Sequence, residues 1–230
     1  METEKIMNTS AIIVCAGNSS RMQGVNKILL PLGKTNVIGC TLTAFQKCES
    51  ITDIVVVCRS QDEEEIRKTA DSLGITKLHG FAQGGSTRQQ SVINGLRKIS
   101  PDTEMIAVHD GARPLVNPAH IEKTIKDASV FGGAVLGVPV KDTIKIVHDG
   151  LIEDTPHRPS LYITQTPQVF KRRLYFEGVD FALEHELDFT DDCQLMEAIG
   201  VKVCMTTGDY KNIKITTPED LKVAEAFVGK

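Results

Sequence analysis

The chain has 230 residues, a length that suits one α/β domain, and its 41% hydrophobic and 24% charged residues are ordinary for a globular protein with a substantial core. Its formal net charge of -4 argues against a nucleic-acid-binding protein, since such proteins usually carry a strongly basic face. Any anionic ligand would therefore be held by a local cluster of cations.

The six cysteines form no C-x-x-C pair and lie in apolar or helical contexts. We therefore expect reduced thiols, no zinc site and a cytoplasmic location. The first ten residues lack the apolar segment of a secretory signal, and no apolar run approaches the ~20 residues of a membrane helix. The sequence thus predicts no association with a membrane.

Short apolar segments alternate with helix-like segments through the first 138 residues. The strand-like segments are 11–15, 54–58, 77–81, 105–109 and 134–138, and the helix-like segments are 37–48, 61–73, 88–99 and 118–131. Segments 11–15, 54–58 and 134–138 are apolar throughout, and such continuous runs are typical of strands covered on both faces. The alternation predicts a mostly parallel, doubly wound α/β sheet, whose ligands bind outside the carboxyl ends of the strands.

Residues 141–167 interrupt this alternation. The dipeptide Asp149-Gly150 predicts the turn of a β-hairpin, and an inserted β-ribbon would project from the body to embrace a partner subunit or to close over a site. The remaining patterns predict helices at 171–187 and from Thr190-Asp191-Asp192 to Gly200, strands in 201–208 and around Lys214, and a last helix that starts at Pro218.

The first strand runs into a small polar turn, "GNSS" at residues 17–20, followed by the cations Arg21 and Lys27. Successive backbone N–H groups in such a turn form a concavity that binds anions, and the two cations would add charge for a phosphate chain. The turn is neither a dinucleotide fingerprint nor a Walker A loop. An ordinary strand-to-helix loop with two surface cations explains the turn about equally well.

A second glycine-rich turn, "QGGSTRQQSVINGL", spans residues 83–96. The pair Gly84-Gly85 would allow close approach to a flat ring, and Ser86 could cap the helix that follows. Arg88 and Ser91 lie three positions apart and share a face of that helix. Taken alone, the motif favours a routine glycine-rich connection.

Two further segments place charged side chains near strand ends. In "AVHDGARPLV", Asp110 ends an apolar strand and could hold Mg²⁺, which typically takes one or two carboxylates plus phosphate oxygens. It could equally cap its turn and pair with Arg113, and His109 is more typical of a packed residue than of a catalyst. In "NIKITTPEDL", Lys214 fits an exposed strand position but could also point into the same cleft.

Together these segments resemble the 2-C-methyl-D-erythritol 4-phosphate cytidylyltransferases of the non-mevalonate isoprenoid pathway. "CAGNSSRM…NK", "GGSTRQQSVINGL" and "VHDGARP" are similar to that family's motifs, as are "VPVKDTIK", "QTPQVF", "FTDD" and "NIKITTPEDL". The resemblance extends from residue 11 to about residue 226. The sequence departs from the family pattern at Cys15 and Gly111, where alanine is usual, at Ser19, often glycine, and at Asn26, usually proline.

The resemblance implies a Rossmann-like nucleotidyltransferase, one domain over residues 1–230, that acts as a homodimer through an inserted arm at about 141–165. It implies that CTP and the polyol phosphate are joined with Mg²⁺, releasing pyrophosphate. The implied catalytic residues are Arg21, Lys27 and Lys214. The implied nucleotide-binding residues are Ala16, Gly17, Asn18, Ser19, Gly85, Ser86, Ser91 and Asp110, of which Asp110 would also hold the metal. The implied acceptor-binding residues are Thr143, Arg158, Thr166, Thr190 and Asp191, the first two reaching from the second subunit.

Two alternatives remain. Ribitol-5-phosphate cytidylyltransferases share several of these motifs, although "SVINGL" favours the isoprenoid family. A non-catalytic nucleotide-binding module would keep the glycines but could dispense with some of the four charged residues Arg21, Lys27, Asp110 and Lys214, all of which are present.

Overall fold

The computed structural model describes residues 7–17 and 26–228. The strands are β1 (Thr9–Val14), β2 (Pro31–Leu32), β3 (Thr35–Asn36), β4 (Ile51–Cys58), β5 (Leu78–Gln83), β6 (Met105–Asp110), β7 (Gly133–Pro139), β8 (Ile146–His148), β9 (Leu151–Asp154), β10 (Tyr162–Lys171) and β11 (Cys204–Thr207). The α-helices are α1 (Val37–Lys47), α2 (Ser60–Ser72), α3 (Arg88–Leu96), α4 (Pro118–Phe131), α5 (Arg172–Glu184), α6 (Cys193–Ala198) and α7 (Pro218–Val228). Single 3₁₀ turns lie at Lys27–Leu29 and Arg158–Ser160.

Seven strands form one sheet in the order β11-β7-β10-β6-β1-β4-β5, in which only β10 runs antiparallel to its neighbours. Helices α1, α2 and α4 pack on one face, where Phe45 and Ile121 belong to the core. Helices α3, α5 and α6 pack on the other, where Val92 and Tyr175 are buried. The strands β1, β4, β6 and β7 are buried along almost their whole length because helices cover both faces of the sheet. The predicted α/β fold is confirmed.

The strand register brings the polar motifs to one edge of the sheet. Val14, the last residue of β1, pairs with Asp110 at the end of β6 and with Val57 near the end of β4. Cys58 of β4 pairs with Gln83, the last residue of β5. The turns that follow β1, β5 and β6 therefore meet at the carboxyl edge, as expected for a parallel sheet.

Two local expectations were wrong. Residues 212–216 form no strand; their backbone passes the turn after β6, where Ile215 N donates to Ala112 O at 2.8 Å. The N-cap of α3 is Thr87 rather than Ser86, because the Thr87 side chain accepts from Gln90 N. The short β2–β3 hairpin has no sequence signal strong enough to predict it.

The predicted hairpin is present as β8 and β9, a separate two-stranded sheet that turns at Asp149 and Gly150, both with positive φ. Residues 141–155 are all exposed. Tyr162, which lies inside the expected arm, already pairs with Pro139 of β7 in the central sheet. Within the described residues, no helix is both long and apolar enough to cross a membrane.

Candidate active site

A cleft of about 380 Å³ lies at the carboxyl edge of the sheet. Its walls come from the turn after β1, the 3₁₀ turn at Lys27, the start of α3, the end of β6 and the segment before α7. The described lining residues are Val14, Cys15, Ala16, Gly17, Lys27, Ile28, Gly85, Ser86, Thr87, Arg88, Ser91, Asp110, Ala112 and Lys214. The cleft thus brings together most of the residues predicted for the nucleotide.

The turns after β1 and β5 touch each other closely. A Cβ atom on Gly84 would lie 2.2 Å from the Cβ of Ala16, so only glycine allows this approach. Beside it, a Cβ on Gly17, which lines the cleft, would meet no atom of the described residues within 4 Å. The predicted residues Asn18, Ser19 and Arg21 lie outside the described residues.

Ser91 shapes the second turn. Its Oγ accepts a hydrogen bond from Gly85 N at 3.0 Å and donates to Thr87 O at 2.9 Å. The hydroxyl therefore holds the loop in place both as an acceptor and as a donor, while Gly85 and Ser86 stay exposed at the cleft. This geometry favours a role for Ser91 in fixing the surface that a flat ring would face.

Asp110 is surrounded by cations. Nζ of Lys214 lies 2.7 Å from its Oδ2, Nε of Arg88 lies 3.6 Å from Oδ1, and Nε of Arg113 lies 3.7 Å from Oδ2. Burial alone would raise the pKa of Asp110, but the positive charges of Lys214 and Arg88 outweigh it and hold the pKa well below its usual range. The carboxylate is therefore ionised and its neighbours are fixed in position.

Arg88 is a functional candidate that sequence reasoning did not select. Its Nη1 donates to Oδ2 of Asp192 at 2.7 Å, while its Nε faces Asp110. Oδ1 of Asp192 also accepts from the buried Tyr175 hydroxyl at 2.5 Å. The available signal was the shared helix face of Arg88 and Ser91, but its partner Asp192 lies 104 residues away.

His109 is a packed residue, as its position suggested. It is fully buried, its ring lies 4.8 Å from that of Phe45, and its Nε2 contacts Arg113 O at 3.2 Å. A carbonyl needs a donor, so Nε2 carries the proton and Nδ1 accepts from the Thr166 hydroxyl at 3.0 Å. Burial lowers the pKa of His109 to about 3.

The chain matches known proteins over almost its whole length. The family model described as 2-C-methyl-D-erythritol 4-phosphate cytidylyltransferase matches residues 9–230. A relative of that name from Caldanaerobacter subterraneus is 44% identical over 227 residues, which is 97% of this chain and 100% of the relative. Another, from Syntrophotalea carbinolica, is 43% identical over 96% of this chain and 97% of its own.

The solved structures agree. The 4-diphosphocytidyl-2C-methyl-D-erythritol synthase from Anaerococcus prevotii aligns with a TM-score of 0.87 and 31% identity over 98% of this chain and 97% of its own. The 2-C-methyl-D-erythritol 4-phosphate cytidylyltransferase from Thermus thermophilus aligns at 0.80 and 30% identity, over 97% of this chain and 100% of its own.

The chain belongs to the 2-C-methyl-D-erythritol 4-phosphate cytidylyltransferase family. This confirms the resemblance found in the sequence and the prediction of a nucleotidyltransferase, and it does not favour the ribitol phosphate alternative.

The residues predicted for the acceptor of a cytidylyltransferase are more scattered. Thr166 is buried beneath the cleft, where its Oγ1 accepts from Asp110 N at 3.1 Å. Thr190 and Asp191 lie just before α6 and both bond to Gln194. The remaining two, Thr143 and Arg158, are exposed in the arm region and do not line the cleft of their own chain.

The cleft offers a cytidylyltransferase one carboxylate for a metal. Among the described residues, no group of three or more His, Cys, Asp or Glu side chains could hold a metal ion, and Asp110 is the one acidic residue among the lining residues named above. Mg²⁺ is commonly bound by one or two carboxylates together with phosphate oxygens. The residues present therefore fit an ion held mainly by a bound triphosphate, with Asp110 at its side.

Proposed function

We propose that the protein joins CTP and 2-C-methyl-D-erythritol 4-phosphate to give 4-CDP-2-C-methyl-D-erythritol and pyrophosphate, with the nucleotide bound in the cleft at the carboxyl edge. The observation that carries the assignment to this cleft is that Lys27, Lys214 and Arg88 line it together with a single ionised carboxylate, Asp110, which Lys214 and Arg88 contact. Such a cluster suits a polyanion better than a neutral ligand.

The reaction requires positioning and charge cancellation rather than a strong base. The second pKa of a phosphate monoester is about 6, so the attacking oxygen of the polyol phosphate is largely ionised at pH 7. It forms a bond to the α-phosphorus of CTP, and the bond from that phosphorus to the bridging α–β oxygen breaks. The electron pair leaves with pyrophosphate. Phosphoryl-type transfer is accelerated mainly by fixed charges and in-line alignment.

Three cations, Lys27, Arg21 and Lys214, have parts in this scheme. Lys27 and Arg21 hold the triphosphate and stabilise pyrophosphate as it leaves. Lys214, already held at 2.7 Å from Asp110, stabilises the charge that gathers on the α-phosphate. Mg²⁺, when bound beside Asp110, would neutralise phosphate oxygens. Gly85 and Ser86 present the surface that accommodates cytosine, and Ser91 fixes that surface through its bonds to Gly85 N and Thr87 O.

The acceptor site is completed by a second subunit in this proposal. Thr143 and Arg158 would reach the partner's cleft through the arm at about 141–165, where they would hold the polyol phosphate with Thr166, Thr190 and Asp191. The arm supports this arrangement because Leu151 and Ile152 are 75% and 64% exposed, and apolar side chains at that exposure favour burial in an interface. A cytoplasmic location is supported by six free cysteines.

The test is pyrophosphate release from CTP and Mg²⁺ with either 2-C-methyl-D-erythritol 4-phosphate or ribitol 5-phosphate. We expect turnover with the first acceptor and little with the second, and none with CTP alone. Faster turnover with ribitol 5-phosphate would contradict the substrate assignment. No pyrophosphate with either acceptor would favour a non-catalytic nucleotide-binding module.

A further inference from the structure

The turns after β1 and β6 lie side by side at the floor of the cleft. Their strands are paired neighbours, and Gly111 N donates to Val14 O at 2.9 Å. Cys15 follows Val14 and is 5% exposed, so its side chain is packed against the second turn rather than directed into solvent. The two turns are therefore fixed relative to each other at this point.

Cys15 and Gly111 occupy complementary space. A Cβ atom on Gly111 would lie 2.2 Å from the Sγ of Cys15, and 3.3 Å from both Ile13 Cγ2 and Val14 O. A contact of 2.2 Å is far inside the van der Waals distance, so the thiol fills the space that a methyl group at position 111 would need.

Gly111 in turn sets the position of Asp110. The two peptides that flank Gly111 are both held: Gly111 N donates to Val14 O, and Thr41 Oγ1 donates to Gly111 O at 2.9 Å. The Asp110 carboxylate must meet Lys214 at 2.7 Å, so a displacement of these peptides would separate the pair. Misplacement of a reacting or binding group by about 1 Å commonly lowers turnover by about 100-fold.

We propose that Cys15 and Gly111 form a matched pair of positioning residues that fixes Asp110 in the nucleotide cleft. Cys15 acts through the space it fills and not as a nucleophile: burial and the neighbouring Cys58 and Asp110 raise its pKa well above the usual value, so the thiol stays protonated. The proposal rests on the proposed function of the cleft, since its readout is nucleotidyl transfer.

A double-mutant cycle on the full chain tests the pair. Gly111→Ala, Cys15→Ala and the double variant are assayed for kcat, for the KM of both substrates and for the fraction folded. We expect Gly111→Ala to lower kcat per folded molecule about tenfold or more in the natural chain. In the Cys15→Ala background the same change should lower kcat less than about threefold, because the 2.2 Å contact is removed and only the two milder contacts at 3.3 Å remain.

A second glycine supplies the matched control. A Cβ on Gly95 of α3 would lie 2.8 Å from Ile12 Cγ2 and from Val57 Cγ2, so Gly95→Ala is also crowded against the central sheet but away from Asp110. We expect it to lower stability without lowering kcat per folded molecule, and Cys15→Ala should not rescue it.

Several outcomes would overturn the proposal. The proposal is wrong if Gly111→Ala lowers kcat equally in the natural chain and in the Cys15→Ala chain. It is also wrong if Gly111→Ala lowers stability but leaves kcat per folded molecule unchanged. If Gly111→Ala does not fold, recovery of the folded, active state in the double variant supports the pair, and no recovery contradicts it. CTP binding is also measured by calorimetry without acceptor for the same four chains. If the natural chain shows no turnover but the two substitutions are still coupled in their effect on CTP affinity, the proposed reaction is refuted and the matched pair is not.

Discussion

Nζ of Lys214 lies 2.7 Å from Oδ2 of Asp110, although the two residues come from segments 104 positions apart. The contact brings the segment before α7 to the end of β6 and fixes an ammonium group at the cleft before any ligand arrives. A cation that is already positioned costs little reorganisation when charge develops in the transition state. The contact with Asp110 therefore holds the Lys214 ammonium group at the carboxyl edge of the sheet, where the proposed reaction needs a fixed positive charge.

Substitution of Lys214 tests this role. We expect Lys214→Ala to lower kcat on the order of 100-fold or more, because one preorganised charge beside the transferring phosphate is lost. Lys211→Ala is the matched control, since Lys211 lies three residues earlier and faces Phe227 rather than Asp110. Steady-state pyrophosphate release measures both, and equal rates for the two variants would refute the role of Lys214.

Lys27 and Arg21 are expected to act on the transition state more than on the bound substrate. We predict that Lys27→Ala and Arg21→Ala lose most of kcat while the dissociation constant of CTP changes less, because their charges matter most as pyrophosphate leaves. Lys34→Ala, at an exposed position that does not line the cleft, should behave like the natural chain. A Lys27→Ala variant with natural turnover would show that the electrostatic role is wrong.

Arg88 lies between Asp110 and Asp192 and forms ion pairs with both, so its loss should destabilise the fold. Arg88→Ala leaves Asp192, 2% exposed, without its guanidinium partner, and removing one member of a buried ion pair costs about 3 kcal/mol. Arg67→Ala breaks the exposed pair with Glu63 and should cost less than about 1 kcal/mol. Urea unfolding of the two variants makes the comparison, and equal midpoints would contradict the structural role.

The parts of the site that follow strand ends could be predicted from the sequence. Asp110 ends a buried strand and Gly85 comes two residues after the end of β5, and the carboxyl ends of parallel strands meet at one edge, so strand pattern and topology together place them. Lys27 could be placed too, because its loop follows β1. Local pattern and one topological rule are enough for these residues.

The remaining parts depend on contacts between distant segments. Lys214 alternates with isoleucines as a strand residue would, but its segment passes the turn after β6, where Ile215 N donates to Ala112 O. Arg88 pairs with Asp192 through the packing of α3 against the segment before α6, which no local pattern records. The complementary space of Cys15 and Gly111 appears only when two strands are placed side by side.

The arm provides a prediction about the acceptor. In the single chain, Arg158 Nη1 donates to Lys141 O at 3.2 Å and the side chain lies outside the cleft. If the arm of one subunit completes the site of the other, Arg158→Ala should raise the KM for the polyol phosphate at least tenfold, because a charged hydrogen bond to a phosphate contributes roughly 1.5–3 kcal/mol. The KM for CTP should change less. Arg97→Ala provides an exposed control on the body of the protein. An unchanged KM would mean that the arm does not form the acceptor pocket.

His109 makes the free energy of unfolding depend on pH between about pH 5 and 7, above the pH at which ordinary carboxylates titrate. Burial lowers its pKa to about 3, whereas the unfolded chain has a pKa near 6.5, so between these values the unfolded state binds one more proton. The stabilisation is complete above pH 6.5 and is lost as the pH falls below it. From pH 7 to pH 5 we expect His109 to account for a loss of roughly 2 kcal/mol in the free energy of unfolding. Urea unfolding at the two pH values measures this loss, and His109→Gln, which cannot titrate, should show a correspondingly smaller difference. If the natural chain and the variant lose the same free energy, His109 is not buried in its neutral form.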